Sequence, residues 1–372
     1  MEAVTPNATG VRLREARFED HAAISALEQR VGLKSKPFSE WCALWRNNPV
    51  YQKLGPKWPI GWVLEDREGR LVGSLNNLPI PYVFRGKRLL IATGRGWAVE
   101  ESHRTFALLL MDAYFDQPYA DLFFNTTVNG NAAEAHTFFG SKRVPAGDWE
   151  TAAYLITGYR GFVASALRIK RIPLAGLLSY PASLSLWFKD TVLGRRLPRS
   201  AAVCEITPSF DERFDTFWKS LENSSSTLTA ERSREILTWH FGESLARNEL
   251  QILTVSSQGI MRAYGILQRR DEPQYGLKRM RLVDLQSLDK SADHYVAIIR
   301  RAVEACRARG IHMLEHVGCG LEKTQVFEQV APYRRKLPAW PFLYLTRDRQ
   351  LSIALEDPGA WEPSSFDGDA SL

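Results

Sequence analysis

Between Ile91 and Gly140 the chain gathers the residue types that anion binding and proton transfer require. Glu100, Glu101, His103 and Arg104 stand almost side by side, and His136 follows further on. The pattern reads as a strand ending near Ala98-Val99, a polar turn "EESHRT", a helix from about Phe106, a second strand "DLFFNTTV" and a second helix. That helix carries Asn129, Ala132, His136 and Gly140 at offsets of 0, 3, 7 and 11. A strand feeding a helix N-terminus presents a row of backbone N–H groups and the positive end of the helix dipole, which suits a pyrophosphate. Glu100 or Glu101 can take a proton from an amine through a water, and the same pair also fits a solvated acidic turn complementing the dipole. His103 fits a base, a phosphate contact or a surface residue equally well. Asn129 is placed to cap its helix or to contact a bound cofactor.

At these residues the chain resembles the GCN5-related N-acetyltransferase superfamily, whose signature V-x-x-x-x-R-G-x-G/A is followed by N-x-x-A-x-x-x-Y-x-x-x-G. Val99, Arg104 and Ala107 hold signature positions, whereas Thr105 replaces the first glycine and His136 the tyrosine. The resemblance implies acetyl-CoA as acyl donor and no metal. It implies a diphosphate cradle of Arg104, Thr105, Phe106 and Ala107, and a carbonyl-polarising amide close to Val99. It also assigns the acid for the departing thiolate to the tyrosine position. Here that is His136, and an imidazolium does that work near neutral pH.

Composition narrows the class. The chain has 372 residues, enough for two ordinary domains, with 45% hydrophobic and 24% charged residues. Cys42, Cys204, Cys306 and Cys319 form no C-x-x-C pair and no Cys/His ligand set, which fits a reducing compartment. No apolar run opens the sequence, so a cytoplasmic protein is expected, with attachment to the inner face of the membrane an alternative that rests on residues 158–200. The net charge of +6 is concentrated in residues 158–200, where eight basic residues stand against Asp190 alone.

Two stretches repeat one order of elements. Residues 11–157 read as strand, two helices, a hairpin about Glu68-Gly69, the segment above, and a closing strand "DWETAAYLI". Residues 201–349 read as strand, two helices, a hairpin about Gln258-Gly259, a strand, a long helix ending at Gly310, a strand, a helix and a closing strand "WPFLYLTRD". The expected fold class is α/β (α+β): two tandem acyl-CoA N-acyltransferase-like domains, each a mixed, mostly antiparallel sheet flanked by helices. In the second copy Asp289 and Asp293 put negative charge where a diphosphate would sit, so the engine is expected in the first. His312 and His316 read as core and rim residues, with no third ligand in view. Residues 350–372, acidic and rich in Pro, Gly and Ser, read as a disordered tail.

Residues 158–200 join basic clusters to an uncharged run from Ile172 to Phe188, broken by Pro173 and Pro181. Two readings stand: a pair of helices packed across the domain groove, or an amphipathic segment lying on an anionic membrane surface. No nucleic-acid-binding signature surrounds the arginines. The reading that follows is acyl-CoA-dependent N-acyl transfer, with a small-molecule or glycan amine as acceptor, such as an amino sugar of envelope or polysaccharide biosynthesis. The alternatives are a FemABX-like aminoacyl transferase and a degenerate binding or membrane-tethering module.

Overall fold

The computed structural model describes residues 10–128, 130–192, 197–337 and 341–372. The first half supplies β1 (Arg12–Glu15), β2 (Gly61–Glu65), β3 (Leu71–Phe84), β4 (Lys87–Val99), β5 (Leu122–Asn125), β6 (Lys142–Arg143) and β7 (Asp148–Ile156). The second supplies β8 (Cys204–Thr207), β9 (Thr229–Ala230), β10 (Leu250–Ser257), β11 (Ile260–Arg269), β12 (Arg279–Ser287), β13 (Met313–Cys319), β14 (Tyr333–Lys336) and β15 (Leu343–Leu345). They form two mixed sheets flanked by helices, as expected.

The hairpins follow from local chemistry. Gln258 (φ 52°) and Gly259 (φ 76°) join β10 to β11 as a two-residue left-handed loop, and Arg85 (φ 49°) and Gly86 (φ 76°) do the same between β3 and β4. Such loops match the twist of the strands they connect. Between β2 and β3, Asp66 accepts the N–H groups of Glu68 and Arg70, with Gly69 at φ 77°.

The closing strands differ from expectation. β7 does not close the first sheet but lies between β13 and β14 in the second, while β15 lies between β5 and β6 in the first. The exchange places Phe342 and Tyr344 against Phe124 and Trp361, in a core that also holds Tyr82, Phe214, Tyr264 and Val283. One core therefore spans both halves, and neither 11–157 nor 201–349 contains a complete sheet. β9 adds a further tie by pairing with β3.

The C-terminal segment is a second correction. After the helix Arg349–Ala354, residues from Trp361 onward run between the two sheets and are mostly buried. Polar composition does not prevent this, because the buried groups find partners. Tyr82 donates to Asp367 (2.8 Å), Lys323 to the Glu362 carbonyl (2.7 Å), Gln268 to the Ser371 carbonyl (3.0 Å) and Arg270 to the Ala370 carbonyl (3.1 Å). Phe366 packs on His240, Phe241 and Arg232.

Candidate functional site at the parting of β4 and β5

β4 and β5 are parallel partners over three pairs only: Ile91 with Leu122, Ala92 with Phe123 and Thr93 with Phe124. β5 then ends at Asn125 and the chain enters the helix Gly130–Phe138, while β4 runs on to Val99. The strands part, and a wedge opens between them. β4 is also bulged against β3, because Ser74 faces Ala98 and Asn76 faces Arg95, leaving Leu75 opposite both Gly96 and Trp97. Gly96 takes φ +63°, and a Cβ there would lie 2.7 Å from Glu28 Oε1 and 3.0 Å from Asn76 Nδ2. A bulge of this kind re-aims side chains toward an opening.

Four polar atoms surround the bulge without a hydrogen-bond partner among the described residues: Ser74 Oγ, Asn76 Nδ2, Thr93 Oγ1 and Trp97 Nε1. Each such buried group costs about 1–3 kcal/mol, so a cluster of four marks a place that receives polar atoms. Two buried carboxyl groups flank it. Glu28, from the helix His21–Arg30, is held above the ordinary carboxylate range by burial, against the pull of Arg95 and His21. Asp369, from the C-terminal segment, is likewise raised by burial and opposed by Arg95; Thr126 and Thr127 donate to it at 2.9 and 3.0 Å. On the other face of β4, Tyr114 donates to the Ala92 carbonyl (2.8 Å), and Asn125 sits against Gly94.

The residues singled out in the sequence fall around this wedge unevenly. Val99 ends β4, paired with Gly73. Residues Glu101–Phe106 wind into a short 3-10 helix before the helix Ala107–Asp116, and Arg104 and Thr105 are exposed while Phe106 and Ala107 are half-buried. Within that turn the His103 N–H already donates to the Glu100 carbonyl, and the Ala107 N–H to the Arg104 carbonyl. Glu100 is held by Arg30 (2.8 Å) and Arg70 (3.2 Å), with His103 Nδ1 at 3.9 Å. Glu101 stands in solvent, 3.7 Å from Arg104. Glu100 is thus engaged by two arginines, whereas Glu101 remains solvated and weakly paired.

His136 is buried against the edges of Trp97 and Phe115, with Nδ1 3.5 Å from Asn125 Nδ2. Burial lowers its pKa to about 4, so the ring is neutral at pH 7 and offers an N–H, not the imidazolium expected from its position. Asn129 lies outside the described residues. Glu28, Asn76, Thr93, Arg95 and Asp369 were not foreseen. The available signal was Gly94-Arg95-Gly96, since two glycines flanking a charge inside a strand mark a bulge or a close approach.

No family model matches the sequence, and no curated protein sequence does. Solved structures do match in shape. A GCN5-related N-acetyltransferase from Kribbella flavida aligns over 94% of this chain and 75% of its own, at TM-score 0.56 and 10% identity. A GCN5-related N-acetyltransferase from Anabaena variabilis aligns over 90% and 72%, at TM-score 0.53 and 11% identity. A conserved protein from Enterococcus faecalis, described as a probable N-acyltransferase, aligns over 90% and 72%, at TM-score 0.56 and 12% identity. The fold is that of the GCN5-related N-acetyltransferases.

In the second half of this acetyltransferase fold the equivalent wedge is filled. β12 and β13 are parallel over four pairs, Arg279 to Leu282 against Met313 to His316. Where they part, Arg232 pairs with Asp284 at 2.9 Å, both fully buried, and Tyr264 and Gln286 also donate to Asp284. At the start of the helix Ala292–Ala308, Asp289 accepts from Ser287, the Ser291 N–H and His294. The chain's own carboxylate thus occupies the anion position. Glu315 is buried under Arg281 and Arg335 at 2.7 Å each, so it and His316 belong to the interior. Among the described residues no group of three or more His, Cys, Asp or Glu is arranged to hold a metal.

A groove of about 970 Å³ lies elsewhere, between the helices Phe38–Arg46 and Arg234–Ala246. Lys36, Glu40, Trp239 and Arg247 line it, and Ser371 and Leu372 reach it from the C-terminal segment. Burial lowers the Lys36 pKa to about 8. Unpartnered polar atoms occur at both places, His240 Nδ1 among them at the groove, whereas the two carboxyls raised by burial lie at the wedge. Leu372 lies only three residues beyond Asp369, so the C-terminal segment connects groove and wedge.

Proposed function

We propose that the protein is an acyl-CoA-dependent N-acyltransferase, with acetyl-CoA as the simplest donor, and that it works at the wedge of the first half. The observation that carries this reading is the set of unpartnered polar atoms at the β4 bulge, in a fold whose solved examples include N-acetyltransferases. The residues fit an acyl-CoA donor. Exposed Arg104 is free to meet a diphosphate beside the turn of Thr105, Phe106 and Ala107, its contact with Glu101 being only 3.7 Å and solvated. When bound, the donor supplies an acyl group activated as a thioester.

The protein's tasks are then to polarise the acyl carbonyl, take a proton from the acceptor ammonium and stabilise the departing thiolate as it gains one. The bulged backbone of β4 near Trp97–Val99 and the Asn76 amide supply donors for the carbonyl. Glu28 takes the acceptor's proton, because a carboxyl raised by burial lies nearer in pKa to an amine than a solvated one does. The neutral ring of His136, with the Asn125 amide, offers hydrogen bonds to the departing sulfur, whose proton then comes from solvent and not from the imidazole. The acceptor enters by the groove that ends at Leu372.

Calorimetric titration of acetyl-CoA and free CoA tests the reading, on the wild type and on Arg104→Glu. One-to-one micromolar binding, weakened about tenfold or more in the variant, is the expected result. Absence of heat with both ligands refutes donor binding. It moves the FemABX-like and binding-module readings forward, the former of which binds aminoacyl-tRNA.

A further inference from the structure

The helix Ala175–Val192 is inside out. Its inward stripe is small and polar, with Ala175, Ser179 and Ser183 buried, Ser179 and Ser183 bonding back to Gly176 and Tyr180. Asp190 lies further along the same stripe and accepts from Tyr159 (2.9 Å) and Tyr333 (2.5 Å). The large apolar residues point the other way: Leu174 is 71% exposed, Leu177 67%, Leu184 66%, Phe188 62% and Val192 60%. A helix on a water-soluble surface ordinarily shows the opposite arrangement. So broad an apolar stripe requires a cover.

We propose that this helix and the turn before it dock flat on an anionic lipid bilayer. Arg168, Lys170, Arg171 and Lys189 are all exposed around the apolar stripe, and Arg160 stacks on Tyr180 at 4.0 Å. The only carboxylate of the segment is turned inward and held by two tyrosines, so the segment itself adds no negative charge to the apolar face. An apolar stripe bordered by cations matches acyl chains below and anionic headgroups beside it. Self-association is disfavoured, because a two-fold pairing of this face brings like charges together. The 18-residue helix is about 27 Å long and contains Pro181; no helix among the described residues is long and apolar enough to cross a membrane. It therefore lies in the interface and does not span it.

The test is co-sedimentation of the full chain with vesicles of phosphatidylcholine alone and of phosphatidylcholine mixed with phosphatidylserine. The expected result is binding to the anionic vesicles only, weakened by salt. Lys170→Glu with Arg171→Glu lowers the partition at least about thirtyfold, at roughly 1 kcal/mol for each cation lost before the added repulsion of the two carboxylates. Leu177→Ser with Phe188→Ser lowers it at least about tenfold. All four positions are exposed, and an unchanged thermal midpoint confirms that the variants remain folded. Failure to bind anionic vesicles at low salt overturns the proposal. So does equal binding to both vesicle types, or a dimer in solution that Leu177→Ser with Phe188→Ser abolishes. None of these outcomes bears on CoA binding, which titration reads separately.

Discussion

Phe366 tests whether the C-terminal segment is part of the core or a loose cover. Its side chain is 1% exposed, 4.6 Å from the His240 ring and 5.6 Å from Phe241, with the Arg232 guanidinium 4.9 Å from its centroid. Truncating a fully buried phenylalanine to alanine removes its transfer free energy and leaves a cavity, together about 3–5 kcal/mol. This cavity would also border the buried Arg232–Asp284 pair, whose carboxylate is held far below the ordinary range by Arg232 and by Gln286 despite its burial. Water admitted there weakens that pair, so the upper half of the range is expected. Urea unfolding of Phe366→Ala at pH 7 reads the effect as a lowered midpoint with unchanged slope. A loss below about 1 kcal/mol would mean that the segment lifts away without opening the core, and the reasoning from burial would be refuted. A chain ending at Glu362 loses this ring, the Asp367–Tyr82 bond and the Asp369 contacts together. Its expected loss is comparable with the whole stability of an ordinary domain, roughly 5–15 kcal/mol.

Three further outcomes follow from buried groups. Burial pushes the histidines at 136, 240 and 316 down to about 4, about 3 and about 4. The unfolded chain therefore takes up protons below its pKa of about 6.5 that the folded chain refuses. Stability is full above that pH and falls toward pH 4 by about 1.4 kcal/mol per pH unit per histidine; a flat profile from pH 7 to 5 contradicts this, and His316→Gln should lessen the slope. Arg232→Met strands the Asp284 charge and should cost about 3–5 kcal/mol in chemical denaturation, while adding Asp284→Leu should restore part of the loss. Gly96→Ala meets left-handed strain of about 1–2 kcal/mol plus crowding against Glu28 and Asn76, whereas Gly69→Ala meets the strain alone. Equal thermal shifts in the two variants would remove the crowding at the bulge.

Local signals were legible in the sequence to the extent that local chemistry decided them. The left-handed pair Gln258-Gly259, the turn at Gly69 and the end of the long helix before Gly310 were readable because a positive φ restricts residue choice. Strand exchange was not readable. Whether β7 pairs with β5 or with β13 depends on which apolar face it meets in three dimensions, and both sheets offer one. The last ten residues misled for a related reason, since a Ser, Asp and Gly-rich run resembles a solvated tail unless the donors awaiting it are visible. Tyr82, Thr126, Gln268 and Arg270, which supply those donors, lie about 100 to 285 residues away in sequence. At the site, spacing points to Glu100 and Glu101 because it reveals proximity along the chain. Glu28 reaches the bulge only through the packing of a helix against β4.

The two wedges differ in what fills them, and that difference argues for one site rather than two. Both halves part a parallel strand pair and begin a helix beyond it, so backbone geometry alone would allow two anion sites. In the second half the helix start is occupied by Asp289, and the space between the strands holds an arginine–carboxylate pair with every charge met. A ligand diphosphate would have to displace a carboxylate that already takes three hydrogen bonds, and like charge opposes its approach. In the first half the turn instead presents exposed Arg104, and the bulge leaves four polar atoms unpaired. Each unpaired group carries a standing cost, which a polar ligand at the bulge would relieve. The second half has used the same opening to anchor Arg232 beneath Phe366, and so to hold the C-terminal segment whose Asp369 reaches the first wedge. The first wedge thus leaves its polar atoms and an arginine open, and the second holds the segment that bounds it.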